Sequence, residues 1–167
     1  MGYILYEASF RIHPAFLIPA VAMLACILLP VALKMQSRTK VDEVSYKIVR
    51  FFCTIFFVLA VIFTAFVAYF QFDMYNKTVG EYKKGNYKIV EGYVENFELI
   101  TEGEQEYEYF TLDNVPFSYS DFTVQQGYNK TKDHGGVITG NGQHLRIGYI
   151  YYDTTYGNII VYIEELP

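Results

Sequence analysis

Between Gly127 and Gly136 the chain gathers Asn129, Thr131, Asp133, His134 and Gly135, with Tyr119 and Asp121 shortly before and Arg146 shortly after. Loops carried on a rigid scaffold are where binding residues concentrate. Tyr119, Asp121, Asn129, His134, Gly135, Gly136 and Arg146 therefore form the candidate binding set. The plainer alternative is a surface turn, in which glycine supplies unusual backbone angles and His134 caps a neighbouring carbonyl. An Asp121–His134 pair would also suit a hydrolase, with the carboxylate beside the imidazole in one cleft. The nucleophile is missing, because Ser118 and Ser120 fall in a strand pattern rather than on a strained, exposing turn. An enzyme is not expected. His134, His144, Asp121 and Asp133 also lack the close ligand spacing of a zinc site, with no HxxxH or CxxC in the chain. Neither a metal nor a cofactor is expected.

Glu102, Glu104, Glu106 and Glu108 alternate, so a strand would place them on one face, most often a solvated hairpin surface. Tyr149, Tyr151, Tyr152, Tyr156 and Tyr162 crowd the last hairpin, and exposed tyrosines favour protein or sugar contacts. Arg146, between apolar neighbours, should point outward and meet either an acidic ligand or a carboxylate of its own chain.

These residues need a scaffold, and apolar alternation supplies one. Strands are predicted over about 87–100, 107–112, 115–122, 144–152 and 159–163. In the first, Val90, Gly92 and Val94 share a face before the register shifts to Phe97 and Leu99, which predicts a bulge near Asn96. Asp113 and Asn114 suit a two-residue hairpin turn, because both side chains tolerate positive φ. Pro116 argues for an edge or the start of a strand. In the last strand Ile159, Val161 and Ile163 share a face. Five short strands with a long connection over 123–140 predict an all-β domain at 86–167. A small five-stranded barrel, OB-like or SH3-like, is expected, since closure removes exposed edges.

Ahead of that domain, residues 16–33 and 51–72 carry no charge. About 20 helical residues span the roughly 30 Å of a bilayer's hydrocarbon. Both runs are apolar all round, unlike a soluble helix with one polar face. They predict a membrane α-helical hairpin in 1–72, with helices near 14–33 and 51–72 and a basic connecting loop. Residues 73–85 are expected to be a linker or helix extension, stopped at Gly85. Ala22 and Cys26 on the first helix, and Ala60, Thr64 and Ala68 on the second, recur every four residues and predict close helix packing. Cys26 and Cys53 both lie in the apolar runs, so the β domain has no internal disulfide.

Lys34, Arg38, Lys40, Lys47 and Arg50 sit between the runs, and Arg11 alone precedes them. That predicts a cytoplasmic connection and an extracytoplasmic C-terminal domain, although Lys77, Lys83, Lys84 and Lys88 pull the other way. Residues 73–167 hold 15 acidic and 7 basic side chains, so that domain should be repelled by anionic lipid heads and by nucleic acid.

The segments 90–97, 117–121, 134–136 and 146–149, with His134, Gly135, Gly136 and Arg146 among them, resemble a group of uncharacterised bacterial membrane proteins. The resemblance covers roughly 80–165, and Val137 departs from it where proline is expected. It implies N-terminal membrane helices and a small β-domain, and no activity. The expected function is a membrane-anchored binding or adaptor module of the bacterial cell envelope, in the inner or cytoplasmic membrane. Its partners would be the lipid bilayer and an envelope protein or glycan. The second expectation is an accessory subunit of a transporter or secretion complex, assembled through its transmembrane helices.

Overall fold

The computed structural model describes residues 2–11, 17–36, 43–102 and 105–167. They divide into two compact units, one made of 2–11 with 73–167 and the other of 17–36 with 43–72. In the first, six strands form one antiparallel sheet: β1 (Tyr3–Glu7), β2 (Lys88–Glu102), β3 (Gln105–Leu112), β4 (Val115–Tyr119), β5 (His144–Tyr151) and β6 (Asn158–Glu165). Their order is β1-β6-β5-β2-β3-β4.

The sheet is open, which corrects the five-stranded barrel. Closure would need β4 to pair with the far edge, and β1, a strand that alternation alone did not reveal, already occupies that edge against β6. β4 has only five residues, and Pro116 has no N–H to offer a further strand. β2 bends the sheet, pairing with β5 over 88–93 and with β3 over 94–102. Near the changeover Asn96 takes φ 52°, and the register slips between Glu95 and Glu98, as a bulge there requires. Asp113 and Asn114, at φ 47° and 61°, make the hairpin turn.

One face buries Val90, Val94, Phe110, Leu112, Phe117, Leu145, Ile147 and Ile163, and Tyr128 and Ile138 from the long connection close over them. Removing this apolar surface from water is the main force holding the unit together. The other face is covered at one end by a π-helical turn (Asn76–Gly80), whose Val79 packs with Ala8 and Val161. β6 thus serves two cores. Ile160 and Ile163 face the first while Val161 faces the second. An irregularity opposite Gly148 and Tyr149 supplies the odd step, so Ile159, Val161 and Ile163 do not share a single face.

The second unit holds α1 (Leu17–Gln36) and α2 (Glu43–Tyr75) up to Phe72. α2 starts earlier than its apolar run, and an i,i+4 ion pair of 2.8 Å between Lys47 and Glu43 supports that first turn. Lys34, Lys47 and Arg50 are therefore helical rather than in a loop. Arg38 and Lys40, like Pro14, Ala15 and Phe16, lie outside the described residues. Cys26 and Pro30 share a cavity with Arg50 and Cys53, and Lys34 and Met35 share one with Tyr46 and Arg50. Late residues of α1 thus line the same cavities as early residues of α2. Among the expected packing residues, Cys26, Ala60 and Thr64 are half-buried, and Ala22 and Ala68 are exposed. The helical stretch Glu43–Lys83 is long and apolar enough to cross a membrane, whereas the apolar part of α1, Ile18–Ala32, is shorter. A last turn, α3 (Glu81–Lys83), ends at Gly85 with φ 81°, the left-handed stop that glycine favours.

Candidate functional site

Just past β4, the Asp121 carboxylate gathers the long connection around itself. The Thr131 N–H lies 3.3 Å from both carboxylate oxygens, and the Thr131 hydroxyl donates to Oδ2. His134 Nδ1 lies 2.9 Å from that same oxygen and 3.0 Å from Thr131 Oγ1. The hydroxyl proton is already directed at Asp121, so a proton on Nδ1 lets the ring donate to the carboxylate. That leaves Nε2 as the outer nitrogen of an exposed ring. Burial works to raise the Asp121 carboxyl, but the hydrogen bonds from Thr131 and His134 outweigh it and hold the group below the usual carboxylate range.

Backbone geometry fixes this loop. Residues Lys132–His134 form one 3-10 turn, closed by His134 N–H to Thr131 O at 3.0 Å and Gly136 N–H to Thr131 O at 2.8 Å. Gly135 sits at φ 84°, and a Cβ on Gly136 would come within 2.7 Å of the Thr131 carbonyl. Both glycines serve the turn. Asn129 donates to the Thr123 carbonyl at 3.3 Å and ties the base of the loop.

Beneath the loop the apolar core contains polar groups. Glu108 is 4% exposed; its Oε1 accepts from Lys132 N–H at 2.7 Å, and its Oε2 has no hydrogen-bond partner among the described residues. Tyr119 is its cross-strand neighbour, and among those residues the buried Tyr119 hydroxyl has none either. Burial first, then the charge of Glu108, push that phenol far above its ordinary range. The two groups approach closely without a well-formed hydrogen bond. Tyr119 packs edge-on against Tyr128, which packs the same way against Tyr6 of β1, both at 5.1 Å. Burial pushes the Tyr6 hydroxyl up to about 12, against the pull of Arg11.

Tyr119, Asp121, His134, Gly135 and Gly136 are thus brought together, and Arg146 is not. Its Nε and Nη2 reach Glu91 Oε2 at 3.0 and 2.9 Å, and its Nη1 reaches Glu164 Oε2 at 2.8 Å. It takes the carboxylates of its own chain. The residues that sequence reasoning missed are Thr131, Glu108 and Tyr6. Glu108 had a signal: it shares strand parity with Phe110 and Leu112, both fully buried. The single solvated acidic face is therefore corrected, because Glu106 is exposed and Glu108 buried. The side chains of Glu102 and Glu104 lie outside the described residues.

A separate hollow of about 280 Å³ is lined by Tyr107, Ser118, Gln125, Thr155 and Tyr156, with Thr123 and Val124. It offers hydroxyls, an amide and two phenol rings, and among the described residues no charged side chain lines it. Among the described residues, no group of three or more His, Cys, Asp and Glu side chains could hold a metal. What the loop can present is Nε2 of an imidazole oriented by Asp121. Among the described residues no hydroxyl or thiol is hydrogen-bonded to that nitrogen. Set against known proteins, the chain matches no family model, no curated protein and no solved structure.

Proposed function

We propose that this chain is a membrane-anchored binding module of the bacterial cell envelope, held by α1 and α2 as a two-span hairpin. Its sheet unit stands on the extracytoplasmic side and offers the 123–137 connection and the neutral hollow to a glycan or protein. The observation that carries this reading is the pairing of β1 with β6. β1 precedes α1 and β6 follows α2, so the number of crossings between them is even. If α2 crosses a bilayer, α1 crosses back. Residues 17–33 of α1, ahead of Lys34, reach about 26 Å, the lower end of the roughly 17–25 residues with which a helix spans the hydrocarbon layer.

Exposed side chains support the same reading. Leu24, Leu28, Phe52, Phe56, Phe63 and Phe66 are all exposed, a larger apolar surface than a water-soluble chain leaves open. The basic residues at the connecting end favour a cytoplasmic connection. The uncharged hollow, with its phenol rings and hydroxyls, has the mixture of flat apolar and polar groups that holds a small neutral ligand, and a sugar of an envelope glycan has that chemistry.

The test uses the full chain with Cys26→Ala and Cys53→Ala, carrying either Tyr3→Cys or Pro167→Cys, labelled in cells by a membrane-impermeant maleimide. Both positions should label from outside, and the chain should stay with membranes through an alkaline wash. Labelling from opposite sides, or release into the wash, sinks the two-span reading. The accessory-subunit reading has one observation in its favour: Arg146 and Asn129 commit their polar groups inside the unit. Retention of the full chain on a peptidoglycan resin, lost with Tyr156→Ala, favours the binding module. Co-purification with a membrane complex that survives Tyr156→Ala favours the subunit.

A further inference from the structure

Two adjoining cavities between α1 and α2 share Pro30 and Arg50. The one nearer the connecting end, an open cleft of about 690 Å³, is lined by Lys34 and Arg50, with Tyr46 and Met35 beside them. The other, about 220 Å³, lies between Ile27, Cys26, Cys53 and Phe57. Among the described residues no acidic side chain lines either cavity. Among the described residues neither Lys34 nor Arg50 has an ion-pair partner, since the nearby Lys47 takes Glu43. Both cations also mark the boundary of an apolar run: Lys34 directly follows residues 16–33 and Arg50 directly precedes residues 51–72.

Two cations with no ion-pair partner among the described residues, at the edge of an apolar layer, call for an anion. A free ion would satisfy the cations and leave the apolar cavity unfilled. A molecule with an anionic head and a hydrocarbon tail matches both parts in the order in which they occur, and Tyr46 adds an amphipathic ring at head-group depth. The geometry points to an anionic phospholipid, its phosphate between Lys34 and Arg50 and one acyl chain along Ile27, Cys26, Cys53 and Phe57. Basic pockets between membrane helices hold anionic heads in this way. The inference rests on the two-span reading.

Native mass spectrometry of the detergent-solubilised full chain, with equal phosphatidylglycerol and phosphatidylcholine, tests it. Retention of phosphatidylglycerol should exceed that of phosphatidylcholine by roughly thirtyfold, the scale expected for two basic contacts. Lys34→Gln with Arg50→Gln should bring the ratio to about one, Arg50→Lys should keep most of it, and Lys83→Gln with Lys84→Gln should leave it unchanged. Equal retention of the two lipids overturns the proposal. So does a ratio that survives loss of Lys34 and Arg50, or one that falls with Lys83 and Lys84. Displacement by millimolar inorganic phosphate also overturns it, because it would assign the two cations to a free anion. A chain that resists alkaline extraction yet shows no lipid preference ends this inference alone, whereas extraction ends the two-span reading with it.

Discussion

Asp121 is where a single side chain organises the most backbone. It accepts from Thr131 twice over and from His134; Asp121→Asn should therefore cost the sheet unit about 1–2 kcal/mol in denaturant unfolding, as loss of charge-assisted bonds does. The sign of the pH effect follows from its lowered pKa. The Asp121 contribution is fully present above the ordinary carboxylate value of about 3.9 and is lost as pH falls through the lower folded value. The stability gap between the native chain and Asp121→Asn should hold at pH 7 and shrink below about pH 4. Tyr119 behaves oppositely. Among the described residues its buried hydroxyl makes no well-formed hydrogen bond, so Tyr119→Phe should be neutral or stabilising by up to about 1 kcal/mol, and a destabilisation of about 1 kcal/mol or more would mean the hydroxyl is bonded in solution. The Asp121–His134 meeting was legible because both residues flank one glycine-rich loop. The place of Thr131 was not, since a threonine in a loop carries no pattern until the 3-10 turn aims it. Glu108 was misassigned because the run of alternating glutamates outweighed its parity with Phe110 and Leu112.

Among elements, local chemistry was readable and distant pairing was not. The Asn96 bulge, the Asp113–Asn114 turn, the Gly85 stop and the edge position of Pro116 each follow from neighbours in sequence. Asn114→Val should cost about 1–2 kcal/mol, because a β-branched residue resists φ near 61°, while Asn114→Gly should be tolerated; thermal unfolding of the two variants decides it. β1 escaped notice since its residues lie far in sequence from β6 and no turn announces the pair. Its half-buried Leu5 and Tyr6 pack on the main core, and its bonds to β6 leave that strand flanked on both sides. Leu5→Asp should raise amide exchange at 160–163 by at least tenfold while leaving the β3–β4 hairpin unchanged. Equal protection at 160–163 in the native chain and in Leu5→Asp would mean that β1 is not docked in solution.

At the scale of the whole molecule, composition separated an apolar part from an acidic, strand-forming one, and the structure draws the same division except at the N-terminal end of the sheet. Barrel closure failed for a topological reason: the edge that β4 would have to reach is filled by β1. The same strand has a consequence for biosynthesis. The ribosome makes Tyr3–Glu7 before every other described strand, and its partner, Asn158–Glu165, after them. The first strand must wait, solvated and unmatched, while both helices and β2–β5 emerge. Its pairing with β6 spans more sequence than any other strand pairing among the described residues, the kind of contact that folds slowly. Stalled nascent chains that end before residue 158 should leave Tyr3 and Ile4 open to protease, and release of the full-length product should protect them.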